Sequence, residues 1–162
     1  MPDHSKILSA IAATDDADRL RQFRENAQKN GVDEVADAAF RRLIEIVPSE
    51  APGTLEHDFW SMVTAFEEHR RLDRGKKSPM HRTRDKVARV GIHQTLADFA
   101  TDRKPTAGFE QLLEWGMPEL TGEAIVLRHQ SEFEPEVTAA ARRRLEDAGI
   151  DIETLVRPEG GR

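Results

Sequence analysis

The sequence predicts an all-α fold: a compact bundle of about seven to nine short-to-medium helices with no significant sheet. Three observations carry this. Apolar residues recur at three- and four-residue spacing in one segment after another. Capping residues (Ser, Thr, Asp) precede those segments, and Gly, Asn or Pro follow them. No stretch alternates apolar and polar residues with the two-residue period of a half-buried strand.

Residues 5–13 (SKILSAIAA) read as a short opening helix. Thr14-Asp15-Asp16 supplies a cap and negative charge for a second helix, where acidic groups complement the helix dipole. Ala17, Leu20, Phe23 and Ala27 form its buried stripe, and Asn30-Gly31 ends it. A third helix from Val32 to Val47 carries two neighbouring stripes, Val35/Ala39/Leu43/Ile46 and Ala36/Phe40/Val47, so it is expected to pack on more than one side. Pro48 stops it. Thr54 caps a long helix to about Arg71, with Leu55, Phe59, Met62, Val63 and Phe66 facing the core and Trp60 at the stripe's edge. This helix is expected to be the central one. Gly75 and Pro79 break the pattern in a flexible basic loop, DRGKKSPM (73–80).

Helical character resumes at His81, but the apolar phase changes. Val87 and Val90 point one way, while Ile92, Leu96 and Phe99 lie about 150° round the helix. Gly91 sits between the two sets, so the helix either kinks there or is two helices. Further short helices follow, one from Thr106 to Gly116 and one capped by Thr121. The last begins at Pro135, buries Val137, Ala140, Ala141, Leu145 and Ala148, and closes with Gly149-Ile150 as a Schellman cap. The Arg142-Arg143-Arg144 run near that terminus is accounted for by the helix dipole and solvation. Trp60 and Trp115 read as packing residues.

At 162 residues the chain fits one helical domain, 1–156, with a polar tail RPEGGR at 157–162. The alternative is a subdivision into a 1–72 bundle and an 81–156 small-helix region, joined by the basic loop 73–80. The absence of Cys excludes disulfides, cysteine nucleophiles and thiolate metal sites. No signal peptide is expected, and the apolar runs are too short to cross a bilayer. A cytoplasmic location with no membrane partner is the expectation.

Catalytic signatures are missing. There is no P-loop, no GxGxxG and no GxSxG elbow. The six His are scattered without the i, i+4 pairing of a helical zinc site, so no metal and no cofactor is expected. Glu56-His57-Asp58 are consecutive helical residues that point in three directions, which fits capping and surface positions.

The distinctive feature is charge. Residues 69–89 hold nine Lys/Arg against two Asp, a net of +7, whereas the remainder holds 15 basic and 28 acidic residues, a net of −13. On a continuous helix Arg82, Lys86, Arg89 and His93 share one face, with Arg84 on another. Arg74, Lys76 and Lys77 belong to the preceding loop. A cationic helix face beside a basic loop is what contact with a phosphate backbone requires, and Ser78 and Thr83 add hydroxyl donors. Interleaved aromatics, which single-strand stacking would need, are missing from the segment.

NAQKNGVDEVADAAFRRLIEI (26–46), HRTRDKVARVGIHQTLADFA (81–100), GFEQLLEWGM (108–117) and LTGEAIVLRH (120–129) resemble segments of an uncharacterised all-helical family of bacterial, chiefly proteobacterial, proteins. Related segments accompany DNA-acting proteins of defence or mobile-element type. The resemblance implies a self-contained bacterial domain and favours nucleic acid as partner, but it assigns no activity and no catalytic residue.

The expectation is therefore a nucleic-acid-binding or accessory protein that contacts the phosphate backbone through Arg82, Arg84, Lys86, Arg89, Lys76, Lys77, Arg74 and His93. The alternative is a protein–protein interaction or adaptor module whose basic segment docks an acidic partner or a second copy of the chain. A third reading, an enzyme with a dispersed site, needs a deep pocket with convergent polar groups.

Overall fold

A computed structural model describes residues 3–156. The polar tail expected at 157–162 lies outside the described residues. Nine α-helices and two short 3-10 turns make up the described chain, with no strand among them. The helices are α1 (Ser5–Ala12), α2 (Ala17–Lys29), α3 (Asp33–Ile46), α4 (Leu55–Arg74), α5 (His81–Thr101), α6 (Ala107–Glu114), α7 (Gly122–Arg128), α8 (Pro135–Asp147) and α9 (Ile152–Val156). The expected all-α architecture is the observed one.

The caps are where local chemistry places them. Asp16 accepts from the Asp18 and Arg19 amides at the start of α2. Thr54, Thr106 and Thr121 accept from the amides of His57, Phe109 and Ala124. Each such cap satisfies a backbone donor that the helix leaves unpaired, worth about 1 kcal/mol. At the end of α8, Ile150 N–H bonds Leu145 O at 3.0 Å and Gly149 N–H bonds Glu146 O at 2.9 Å, the two bonds of a Schellman motif.

The buried apolar residues form two clusters, and they divide along α3. Val35, Ala36, Ala39 and Leu43 face Ile11, Leu20 and Ala27 of α1 and α2. Phe40 and Ile44 face the larger cluster built from α4 to α9. The paired stripes of α3 are thus real, but their membership differs from the reading by spacing. Ala36 belongs to the first cluster, Ile44 joins Phe40 in the second, and Val47 is exposed at 39%. The change of cluster falls inside α3, not at residues 73–80.

The hub of the larger cluster is α7 rather than the long α4. Every residue from Gly122 to Leu127 is buried, and the helix touches α4, α5, α8 and α9. Its first residue must be small. A Cβ on Gly122 would sit 3.3 Å from both Leu96 and Phe99, so glycine lets α7 approach α5 closely. A seven-residue helix has little intrinsic stability, so packing on all sides holds it in place.

α5 is not straight. Gly91 adopts φ 86°, ψ 167°, a conformation open essentially only to glycine, and it divides α5 into two helical arms. This resolves the phase change. The first arm offers Val87 to the core and leaves Val90 39% exposed, while the second buries Leu96 and Ala100 completely or nearly so.

Candidate functional site

The basic segment begins on the last turns of α4. Arg70 and Arg74 are four residues apart and share a face of that helix. Gly75, at φ 71°, ends α4 in the left-handed conformation and turns the chain. Pro79 disfavours a helical conformation at Ser78, and the chain re-enters a helix at His81. Three hydrogen bonds pin the connection, one of them from Arg70 to the Pro79 carbonyl at 3.4 Å. Arg74 donates to Ser78 Oγ at 2.7 Å, and the Met80 N–H donates to Glu67 Oε2 at 2.7 Å.

Between α4's end, the loop and α5's first turn lies a cleft of about 420 Å³. Arg70, Arg74, Lys77, His81 and Arg82 line it together with Ser78 and Thr83, and no carboxylate is among its lining residues. The start of α5 adds to the positive field, because it has neither a side-chain cap nor an acidic residue in its first turn. Glu67, which anchors the Met80 amide of the lining, is neutralised. Its oxygens accept from Arg84 Nε at 2.8 Å and Arg84 Nη2 at 2.7 Å, and the Arg84 guanidinium also lies over the Trp60 ring at 5.1 Å. Burial pushes the Glu67 carboxyl up. Hydrogen bonds from Arg84 and Met80, with the charges of Arg84 and Lys77, outweigh this and hold it below its ordinary value.

The expected site residues are therefore not brought together as one face. Arg74, Lys77 and Arg82 line the cleft, and Lys76 and Arg89 stand exposed on either side of it in sequence. None of these five makes an ion pair among the described residues. Arg84 is committed to Glu67. Lys86 reaches Asp98 on the other arm of α5 at 2.8 Å. His93 lies beyond the break at Gly91, 3.0 Å from Glu132 and against the Phe133 ring, so it leaves the face that a continuous helix would have given it. The remaining members of the segment turn inward. His69 stacks on Trp115 with ring centres 4.1 Å apart, and Arg71 faces Glu68 at 3.8 Å.

No family model, no curated protein and no solved structure matches this chain. What the site can bind follows from its own geometry.

Spacing does not reveal Arg70 and His81 as cleft residues. Arg70 is visible as a basic residue late in α4, but only the reversal of the chain at Gly75 sets it opposite Arg82. Spacing also misses three polar clusters outside the cleft. Glu68, 6% exposed, accepts from Arg21 through both oxygens at 2.9 and 2.8 Å, while its backbone oxygen accepts from Arg24. Glu123, 1% exposed, pairs with Arg144 at 3.3 Å, and Arg144 also donates to the Phe99 and Asp102 carbonyls at the end of α5. The arginine run at 142–144 is thus not uniform. Arg142 and Arg143 are exposed, whereas Arg144 closes the core.

The third cluster joins Asp58, His129, Glu132 and His93. His129 Nε2 is 2.7 Å from Asp58 Oδ2, and its Nδ1 faces Glu132 at 3.6 Å. With a carboxylate at each ring nitrogen, His129 serves as a tie between α4 and the turn after α7. Within the Glu56-His57-Asp58 triplet, His57 Nε2 lies 2.9 Å from Glu45 O, away from Asp58's partners, as consecutive helical positions require. No group of three or more His, Asp or Glu is arranged to hold a metal ion among the described residues. No helix there is long and apolar enough to cross a membrane.

Proposed function

We propose that this protein is a nucleic-acid-binding or accessory protein that grips phosphate groups in the cleft between α4 and α5. The observation that carries the reading is the convergence of Arg70, Arg74, Lys77 and Arg82 on one concavity with no carboxylate in its lining. Guanidinium groups suit phosphate because their planar fork can present two parallel donors to two oxygens. Ser78 and Thr83 contribute neutral donors of the kind that fix phosphate position. Lys76 and Arg89 extend the positive field without belonging to the cleft.

The contact is with phosphate and not with bases. No Phe, Tyr or Trp lines the cleft, so it lacks the large aromatic platform on which bases stack. Sequence preference is therefore expected to be weak. The acidic remainder of the chain keeps non-specific association low and confines binding to this one region.

The test is a titration of labelled duplex DNA, single-stranded DNA and RNA across a salt series, read by fluorescence anisotropy. Affinity should fall linearly on a log–log plot as salt rises. Arg82→Glu combined with Lys77→Glu should abolish binding. Arg103→Glu with Lys104→Glu, on the exposed loop between α5 and α6, should not. Absence of binding at low salt, or indifference to the Arg82/Lys77 reversal, overturns the proposal and leaves docking of an acidic protein or of a second copy as the reading to pursue.

A further inference from the structure

We infer that the cleft is a seat for a single terminal phosphate, so that the chain holds a nucleic-acid strand by a phosphorylated end rather than along its length. This rests on the phosphate-binding reading above and narrows it.

The first reason is where the positive charge stops. A protein that tracks a backbone needs cations at successive positions along a groove. Here the residues that would continue such a track beyond Arg82 are already neutralised within the fold. Arg84 is held by Glu67, Lys86 by Asp98, and His93 by Glu132. Arg89 remains, about 10 Å along the helix axis from Arg82. Past it the chain breaks at Gly91, and on the second arm Asp98 and His93 are already engaged with Lys86 and Glu132. A backbone laid along α5 would find, beyond Arg82, only Arg89 unpaired among the described Lys and Arg residues of that helix.

The second reason is the shape of what remains. Arg70 and Arg74 come from the end of α4, Lys77 from the loop and Arg82 from the first turn of α5, so donors approach one small volume from three sides. An internal phosphodiester carries one negative charge and two free oxygens. A terminal phosphate carries between about one and a half and two negative charges at neutral pH, spread over three strongly accepting oxygens. Donors converging on one point match the second group better than the first. The loop is held by bonds that leave the cleft's charges unpaired: Glu67 anchors the Met80 amide, and Arg74 and Arg70 each donate one hydrogen bond to a neutral partner, Ser78 Oγ and the Pro79 carbonyl.

The experiment uses the full chain with one short oligonucleotide sequence in several forms: 5′-phosphorylated, 3′-phosphorylated, hydroxyl at both ends, and covalently circular. A phosphorylated end should bind about tenfold more tightly than the hydroxyl-ended strand, the worth of one additional charge-assisted hydrogen bond. Arg82→Glu, or the uncharged Arg82→Gln where a milder change is needed, should erase that preference. Equal binding of phosphorylated, hydroxyl-ended and circular strands overturns the end-binding inference and leaves the backbone reading standing. Failure of every strand to bind overturns both. A phosphoserine peptide that binds more tightly than the phosphorylated strand assigns the cleft to a different class of ligand and also overturns the inference.

Discussion

Lys86 Nζ and Asp98 Oδ2 meet at 2.8 Å although they stand twelve positions apart on what periodicity alone treats as one helix. On a straight helix that separation is about 18 Å along the axis, far beyond a lysine's reach. The pair exists because Gly91 folds the two arms of α5 toward each other. It takes Lys86 out of the cationic face and ties the Asp98 carboxyl, whose hydrogen bonds from Lys86 and Gln94 hold it below its ordinary value.

Replacing Gly91 with alanine tests the origin of the bend. Nothing lies within 4 Å of the position a Cβ would take, so the penalty is backbone strain alone. Gly91→Ala should destabilise the fold by about 1–3 kcal/mol in urea denaturation. Lys86→Ala, which removes a partly exposed ion pair, should cost less than about 1 kcal/mol. In an NMR pH titration Lys86→Ala should also raise the Asp98 carboxyl toward its ordinary value. Equal costs for the two substitutions would mean the ion pair, not glycine, sets the angle.

Arg82 and Arg84 are two residues apart but have different work. Arg84→Gln breaks a bidentate pair with Glu67 and an interaction with the Trp60 ring, and should lower stability by about 1 kcal/mol. Arg82→Gln removes an exposed, unpaired cation and should change stability by no more than about 0.5 kcal/mol. On duplex DNA it should reduce the slope of the salt dependence by about 0.9 for each phosphate that the variant no longer neutralises. Denaturation and binding measured on the same two variants separate the roles.

Glu123 and Arg144 give a pH-dependent prediction. Burial raises the Glu123 carboxyl above its ordinary value of 4.5, and the hydrogen bond and charge of Arg144 only partly oppose this. A carboxyl raised in the folded state binds more protons there than in the unfolded chain. Its contribution is therefore fully present below the unfolded value and is lost as pH rises through the folded one. Arg144→Met strands the carboxylate in the core and should cost about 3–5 kcal/mol at neutral pH. That cost should shrink on acidification toward the ordinary carboxylate range, as Glu123 becomes neutral. Denaturation of the wild type and Arg144→Met across pH checks the sign: a deficit that grows on acidification would show the carboxyl is not the group responsible.

Glu68 ties α4 to the α1–α3 unit. It holds Arg21 in a bidentate pair while Arg24 lies over the Phe40 ring at 4.3 Å. Glu68→Ala leaves these guanidinium groups poorly compensated and should cost about 3 kcal/mol. Hydrogen exchange should quicken first in α1 and α2, while α7 and α8 keep their protection. Uniform loss of protection would show that the two apolar clusters unfold as one unit.

Most of the helices are legible from spacing and caps. Asp16, Thr54, Thr106, Thr121 and the Gly149-Ile150 closure each act within a turn of their own position, so local chemistry places them. The buried stripes of α2 and α4 follow for the same reason, since side chains three and four apart must share a helix face. Even the trouble at Gly91 is visible as a change of phase. The identity of the hub is not, because the seven residues of α7 have no periodicity to read once all their sides are covered.

What the sequence determined by itself is the helices as far as α8, the caps that start most of them, and the excess of positive charge between residues 69 and 89. What tertiary structure decided is which of those charges remain available. Lys86 and His93 share Arg82's face by spacing and Arg84 lies two residues from it, yet Asp98, Glu132 and Glu67 reach them from other elements or from across the bend. Ion pairing depends on distance through space and falls off within a few ångströms of contact, whereas helical spacing reports only neighbours within the same helix. The cleft follows from the same physics. Arg70 and Arg82 face one volume because Gly75 turns the chain between them.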